Sequence, residues 1–253
     1  MRQLPQHKPW MVALSLIAVV VVIGTCGLGS YMLVKGDNTV IGAEGAPTPT
    51  AARRDISNRT ADPTQLTAQD VFPDKEITAD ASVPPYKRIG DPQAAADCRV
   101  AASGDVGKFL VTLGCNQVVR ATYSSTEGSY LLTAGIFNLV DNASAAKANT
   151  DIKALVDGSK GRFSGYVSGT DAKMLGRSAT QLSWAAEGHF LMFTVIARAD
   201  GKDFSDADVP HVKVIVYDIL SKHLRDGVIG EWSIDKSTAA PGASGAGQSA
   251  AAG

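Results

Sequence analysis

The sequence contains few of the residues that most catalytic and metal sites require. Among its 253 residues there are four histidines and three cysteines. It has no C-x-x-C pair and no recognisable Ser/His/Asp set, which excludes the common zinc sites and nucleophilic triads. His211 and His223 lie on one predicted helix, where their separation of 12 residues amounts to about 18 Å, too far to share a metal ion. We therefore predict no catalytic residue, no metal site and no cofactor.

Charged residues are also scarce, and neither sign dominates. Asp, Glu, Lys and Arg together make up 19% of the chain, and the formal net charge at pH 7 is -1. No run of like charge is longer than the pair Arg53-Arg54. Proteins that bind nucleic acid or an anionic bilayer surface concentrate basic residues in patches or runs. The composition therefore argues against a nucleic-acid partner.

One long segment lacks formal charge altogether, and we interpret it as a membrane anchor. Residues 10–34 read WMVALSLIAVVVVIGTCGLGSYMLV. As a helix these residues extend about 37 Å, which exceeds the thickness of a hydrocarbon core of about 30 Å. The arm before them, residues 1–9, carries Arg2 and Lys8 and no acidic residue, which favours a cytoplasmic N-terminus. We expect a single-pass protein of the cell membrane that contacts the lipid bilayer through residues 10–34 and exports the rest.

Three other interpretations of this segment stay open. The residues before Cys26 resemble a lipoprotein processing site, although apolar residues continue beyond that cysteine. A cleaved signal peptide is a second alternative, but its apolar core is shorter, about 7–15 residues. A buried core helix is the third, and the length and β-branched content of the segment suit lipid better.

Two further segments are poor in large apolar residues. Residues 35–68 are rich in Gly, Pro, Thr and Ala, and residues 237–253 consist almost entirely of Ala, Gly and Ser. Such segments bury too little apolar surface to offset the entropy lost on ordering. We predict a flexible stalk over residues 35–68, one extracytoplasmic domain over residues 69–236, and a disordered tail.

Two cysteines remain in the predicted exported domain, Cys98 and Cys115. An isolated pair of cysteines in an oxidising compartment is typical of a disulfide. Free buried thiols and a redox pair are the alternatives, and the spacing is not that of a C-x-x-C redox motif. We predict a structural disulfide that joins the start of the domain to its first hairpin.

A strand–strand–helix pattern occurs twice in the domain. Residues 117–124 and 130–140 flank the turn sequence STEGS and have the composition of a β-hairpin, and a helix with an apolar face follows at about 143–158. The sequence EGHFLMFTVI at 187–196 repeats EGSYLLTAGI at 127–136, and a second helix follows between Asp206 and Gly227. The match is short, and two unrelated hairpins can converge on it.

The predicted fold class is therefore α+β. We expect one antiparallel sheet built from two ββα units, with the helices on one face and one transmembrane helix before the domain. The segment 161–169 lies at an edge of this sheet or in the long crossover. Earlier in the chain, Asp91-Pro92 has the pattern of a helix N-terminus, which predicts a helix up to Gly104.

Helices on one face would leave the other face of the sheet uncovered. Most aromatic residues of the strands are expected in the core, but four strand residues are candidates for that open face: Tyr123, Thr133, Trp184 and Phe193. An exposed apolar face of this kind would bind a peptide, a glycan, a lipid or a second copy of the domain.

The chain resembles, in its layout and in the element DCRVAASGDVGKFLVTLGCNQVVRATY at 97–123, the uncharacterised single-pass membrane proteins of high-GC actinobacteria. The resemblance covers residues 10–235 and implies an envelope protein, but it transfers no catalytic residue. Two functions follow as hypotheses. The first is a membrane-anchored extracytoplasmic binding or interaction module, whose partner is an envelope protein, a glycan or a second copy.

The alternative hypothesis is a cell-envelope enzyme with an unrecognised active site. A concave pocket in which ionisable groups converge would favour the enzyme, whereas a flat apolar face would favour the module.

Overall fold

The computed structural model of this protein describes residues 53–234. These residues form an α+β domain around a six-stranded antiparallel sheet, which confirms the predicted fold class. The arm at 1–9, the predicted span at 10–34 and the tail at 237–253 lie outside the described residues. Within 53–234, no helix has the length and apolar character needed to cross a membrane.

The main sheet has the strand order β1-β2-β4-β5-β8-β7, and β3 pairs with β6 in a separate two-stranded sheet. The strands are β1 (Glu76–Ile77), β2 (Tyr86–Ala95), β3 (Ala102–Ser103), β4 (Gln117–Ser124), β5 (Tyr130–Asn138), β6 (Gly161–Phe163), β7 (Thr180–Glu187) and β8 (Phe190–Arg198). Strand β6 belongs to the crossover between the two halves, one of the two places predicted for this segment.

The helices are α1 (Ala68–Val71), α2 (Gly104–Thr112), α3 (Asn142–Asp157), α4 (Val209–Val216) and α5 (Gly230–Trp232). A π-helical stretch, Tyr217–Ile229, joins α4 to α5 without a break, and we call residues 209–232 the C-terminal helix. Short 3₁₀ turns occupy Cys98–Ala101, Thr170–Gly176 and Asp206–Asp208. The Asp141 side chain accepts a hydrogen bond from the Ser144 N–H and so caps α3.

The two strand–strand–helix units occur in the predicted order, and their inner strands meet at the centre of the sheet. Strand β5 pairs with β8 so that Ala134 lies opposite Thr194. These two residues are equivalent in the sequence repeat. Every other pair in β5 and β8 is arranged symmetrically about them, so the four strands of the two hairpins are related by an approximate two-fold axis normal to the sheet.

The predicted position of the helices was wrong, because they lie on opposite faces of the sheet. Helix α3 packs with Leu131, Phe137 and Leu191, whereas the C-terminal helix packs with the alternate residues Leu132 and Met192. All nine residues of β5 are buried. A strand that is apolar on both sides needs a layer of structure on each face. The two-fold relation is thus limited to the strands, since it would place both helices on one face.

The disulfide between Cys98 and Cys115 is present, with Cα atoms 6.2 Å apart. It joins the 3₁₀ turn after β2 to the residues between α2 and β4. The predicted pinning of the entry segment to the first hairpin is confirmed.

The folded domain begins earlier than the predicted stalk boundary allows. Asp62 and Leu66 are each 1% exposed. Arg53 forms a β-bridge with Ile234, and Asn58 forms one with Asp141. Residues 53–68 are therefore part of the domain. Leu66 lies in the core, and the backbone of the segment pairs with Asp141, which follows β5, and with Ile234, which follows the C-terminal helix.

The helix predicted from Asp91-Pro92 is absent. Residues Tyr86–Ala95 form strand β2, whose pairing with β4 shifts register between Ile89 and Gln93. Pro92 lies inside this irregularity, where its missing N–H breaks no ladder hydrogen bond. Gly90 has a φ of 68° and supplies the left-handed backbone that the bulge uses.

Candidate functional site

The four residues predicted on an open sheet face are not brought together. Tyr123 lies on the face covered by the C-terminal helix, and Phe193 lies on the face covered by α3. Thr133, which lies opposite Val195 in the β5–β8 pairing, shares the α3 side. Of the four, only Trp184 is partly exposed, against α3. The predicted binding face does not form, because both faces of the sheet are covered.

Two of these residues have structural roles. The Phe193 ring stacks on Phe137 at 4.7 Å between centroids and on Phe163 at 5.1 Å, so it lies at the centre of an aromatic cluster. The Thr133 hydroxyl accepts a hydrogen bond of 2.8 Å from the backbone N–H of Tyr166. This bond attaches the crossover segment to the sheet.

A large concave site lies between the C-terminal helix and residues 70–79, and we call it the helix groove. Its volume is about 990 Å³. Apolar side chains from both sides line it, namely Phe72, Pro73, Ile77, Val228 and Trp232, of which Phe72 and Ile77 are buried. A volume of this size accommodates a small organic molecule or a short stretch of peptide.

Phe72 organises the helix groove. It is fully buried, its ring stacks on His223 with centroids 5.8 Å apart, and the Tyr123 ring lies 5.9 Å away. Arg88 donates hydrogen bonds to the carbonyls of Phe72 and Asp74, at 2.9 and 3.0 Å. These contacts hold the segment before β1 against the sheet and fix the shape of the groove.

Two titratable groups in the groove are perturbed by burial. Desolvation lowers the pKa of His223, and its Nε2 lies 3.1 Å from the Val71 carbonyl, so the neutral ring donates a hydrogen bond there. Desolvation raises the pKa of the Tyr123 phenol. The Tyr123 hydroxyl has no hydrogen-bond partner within residues 53–234. Tyr123 thus places a buried hydroxyl in the wall of the groove, and the Arg88 side chain near it offsets part of the rise in its pKa.

Charged side chains from the C-terminal helix also have fixed partners. The Tyr86 hydroxyl donates a hydrogen bond of 2.9 Å to Asp218, and burial together with this bond raises the pKa of Tyr86. The Lys222 ammonium donates to the Ala79 carbonyl at 3.3 Å. These two bonds connect the helix to β2 and to the residues after β1.

The rim of the helix groove is acidic. Four exposed carboxylates, Asp70, Asp74, Glu76 and Glu231, lie there with the cations Arg54 and Lys222, and a fifth carboxylate of the groove, Asp218, is buried. Asp74, Glu76 and Glu231 form no ion pair with any of the described residues. The groove therefore carries excess negative charge beside apolar side chains.

A buried polar network involves Arg54 and Trp232, two residues that line the groove. Asp62 accepts a 2.7 Å hydrogen bond from the Trp232 indole, pairs with Arg54 at 2.5 Å and lies 3.3 Å from His189 Nε2. The Arg54 guanidinium also lies 4.5 Å from the Trp232 ring centroid. Sequence reasoning missed this network, because Asp62 falls in a segment with the composition of a linker and nothing local pairs it with His189.

The helix groove has few side chains suited to metal or covalent chemistry. Within 53–234, no three His, Cys, Asp or Glu side chains converge in a geometry that could hold a metal ion. Thr78 is the one aliphatic hydroxyl among the residues that line the helix groove, and no cysteine lines it.

Comparison with known proteins identifies no relative. No protein family, no curated protein and no solved structure shows significant similarity to this chain.

Proposed function

We propose that this protein is a membrane-anchored, extracytoplasmic binding module, and that the helix groove is its ligand site. The ligand class that fits is a cation with an apolar body, such as a basic peptide segment or an alkylamine. The uncharged run at residues 10–34 supports the anchor. The Cys98–Cys115 disulfide supports export, because disulfides persist in oxidising compartments.

The observation that carries the proposal is the composition of the helix groove. Its acidic side chains outnumber the basic ones, and three of them, Asp74, Glu76 and Glu231, have no ion-pair partner in the described part of the chain. Aromatic and aliphatic side chains line the same groove, and Phe72 and Ile77 among them are buried. The desolvation cost of binding such a cation is smaller when its apolar portion is buried and its charged group stays near solvent, beside carboxylates.

A cell-envelope enzyme remains the second candidate, and one observation favours it. Ionisable groups converge in the helix groove, and the pKa of His223 is lowered by burial. Their partners argue for binding instead. The His223 Nε2–H is bonded to a backbone carbonyl and Asp218 is bonded to Tyr86, so neither is presented to a substrate as a free acid or base.

Binding of small probes to the full chain tests the proposal. Octylamine should bind in the helix groove and shift the amide signals of residues 72–79 and 222–232, whereas octanoate should not, because it carries the opposite charge. The double variant Glu76→Gln, Glu231→Gln should weaken octylamine binding about tenfold. The matched control is Glu127→Gln, which changes a glutamate in the exposed β4–β5 turn.

Equal binding of octylamine and octanoate would contradict the charge argument. Hydrolysis of a chromogenic ester or glycoside that does not require octylamine or octanoate, and that His223→Gln abolishes, would favour the enzyme instead.

A further inference from the structure

Strand β7 forms one outer edge of the main sheet, and its free edge is long and regular. It pairs with β8 over all eight residues, from Thr180 opposite Ala197 to Glu187 opposite Phe190, without a bulge. The opposite edge is the two-residue strand β1. Within residues 53–234, no backbone group of β7 bonds to any segment other than β8.

The hairpin turn defines which amides of β7 face outward. Only Gly188 and His189 separate the paired residues Glu187 and Phe190. A two-residue turn closes on a hydrogen-bonded pair, and the pairs of an antiparallel ladder alternate from there. The outward-facing N–H and C=O groups therefore belong to every second residue, namely Thr180, Leu182, Trp184 and Ala186.

Within residues 53–234, the β7 edge lacks the features with which proteins usually protect exposed edges. Its sequence, TQLSWAAE, contains no proline and no lysine, and its one charge is at the end of the strand. Natural edge strands are usually short, bulged, charged or covered. An unprotected edge of this length is a template for a strand from another chain.

A concave surface runs along this edge on the α3 side, and we call it the edge groove. It has a volume of about 760 Å³ and is lined by β7, the end of α3 and residues 159–162. Leu182, Trp184 and Val156 form its apolar part. The Trp184 indole donates a 3.0 Å hydrogen bond to the Asn149 carbonyl, which fixes the ring against α3.

The edge groove is basic. Lys153, Lys160 and Arg162 line it, and the one acidic residue there, Asp157, is paired with Lys153 at 2.5 Å. Lys160 and Arg162 have no acidic partner among the described residues. The Thr180 hydroxyl is buried at the same edge and has no hydrogen-bond partner within residues 53–234.

We propose that strand β7 is a docking edge for an extended peptide segment that carries acidic side chains at alternate positions. The segment adds to the sheet as a further strand and bonds to the outward amides of Leu182, Trp184 and Ala186. Because side chains of a strand alternate between faces, every second residue enters the edge groove and meets Lys160 and Arg162. This site is separate from the helix groove, with different elements and the opposite charge.

A second copy of this chain is a poorer occupant of the edge. Antiparallel pairing of β7 with itself is two-fold symmetric about an axis normal to the sheet. Both copies of Lys160 and Arg162 would then lie on the same face of the joined sheet, on either side of the new strand pair. The one acidic residue of β7, Glu187, pairs with Phe190 and belongs to the other face, so it does not offset these charges. Charge complementarity therefore favours an acidic segment.

The test uses the full chain and an acetylated nonapeptide of alternating threonine and glutamate as the probe. Binding should slow hydrogen exchange at the amides of Leu182, Trp184 and Ala186, whereas the peptide with lysine in place of glutamate should not bind. Leu182→Pro removes one outward N–H that β8 does not use, and it should weaken binding about tenfold or more. Leu182→Ala loses the same leucine side chain from the edge groove but keeps that N–H, so the difference in binding between the two variants reports the lost hydrogen bond.

A second variant does not depend on how β7 tolerates proline. Lys160→Glu with Arg162→Glu changes two exposed side chains, and it should abolish binding of the acidic peptide and permit binding of the lysine peptide. Unchanged binding to this variant would overturn the proposal, as would exchange protection elsewhere than β7. Protection of the β7 amides that appears with protein concentration, without peptide, would show a second copy at the edge and would also overturn it.

Discussion

Loss of the Cys98–Cys115 bond should lower the free energy of unfolding by about 3 kcal/mol. The bond closes a loop with a sequence separation of 17 residues. In the chain-entropy treatment, closing such a loop removes about 10 cal/mol/K from the unfolded ensemble, which corresponds to about 3 kcal/mol at 25 °C. For a domain of this size, a loss of that magnitude lowers Tm by about 6–12 °C.

The assay is thermal unfolding of the full chain, followed by circular dichroism with and without reductant. The Tm of the wild-type protein should fall by about 6–12 °C when the disulfide is reduced. The double variant Cys98→Ala, Cys115→Ala should unfold at the Tm of the reduced wild type, both with and without reductant. Cys26→Ala is the matched control, because it removes a cysteine that takes no part in the bond. It should respond to reductant as the wild type does.

Thiol quantification decides whether the assay has been performed on the intended states. Oxidised protein should contain no reactive thiol at Cys98 or Cys115, and reduced protein should contain both. If reduction demonstrably frees both thiols and Tm moves by less than about 2 °C, the loop-closure reasoning is refuted.

The remaining predictions concern buried groups. Asp62→Ala leaves His189 and its neighbours without the central carboxylate and should destabilise the domain by about 3–5 kcal/mol in urea unfolding; a loss below about 1 kcal/mol would mean that the network contributes little. Gly135→Ala places a Cβ 2.6 Å from the Phe193 ring and should cost about 1–3 kcal/mol, which an unchanged urea midpoint would contradict. Since burial lowers the pKa of His223, the folded protein binds a proton there less readily than the unfolded chain. Its stability should fall as the pH drops below the ordinary imidazole pKa of about 6.5, and His223→Gln should show a smaller fall in unfolding measured at pH 7.5 and 5.5; parallel pH profiles would argue against this assignment.

Local sequence patterns predicted the hairpins and the helix over Asn142–Asp157, because alternation and caps act between near neighbours. The sequence also indicated that helices or other segments cover both faces of the sheet. Strand β5 reads YLLTAGIFN, a nearly continuous apolar run, and such a run is typical of a strand buried on both faces. We instead expected the alternation of a half-exposed sheet, and this led to the incorrect open face at Tyr123 and Phe193.

Other features depend on contacts that local pattern does not encode. Asp91-Pro92 begins helices in many proteins, but here the adjacent strand β4 provides a ladder that tolerates proline at a bulge. The helix groove joins residues 70–79 to residues 218–232, which are remote in sequence. Its formation follows from the packing of Phe72 into the core, and composition alone placed the preceding residues in a linker.

Both ends of the described domain lie side by side. Arg53 pairs with Ile234, and the Arg54 N–H donates a 2.8 Å hydrogen bond to the Ser233 carbonyl. A domain with adjacent ends can be spliced into a surface loop of a host protein without stretching the host or unpairing its own strands. The domain can therefore be transferred as a unit, because its two ends leave the fold at the same place.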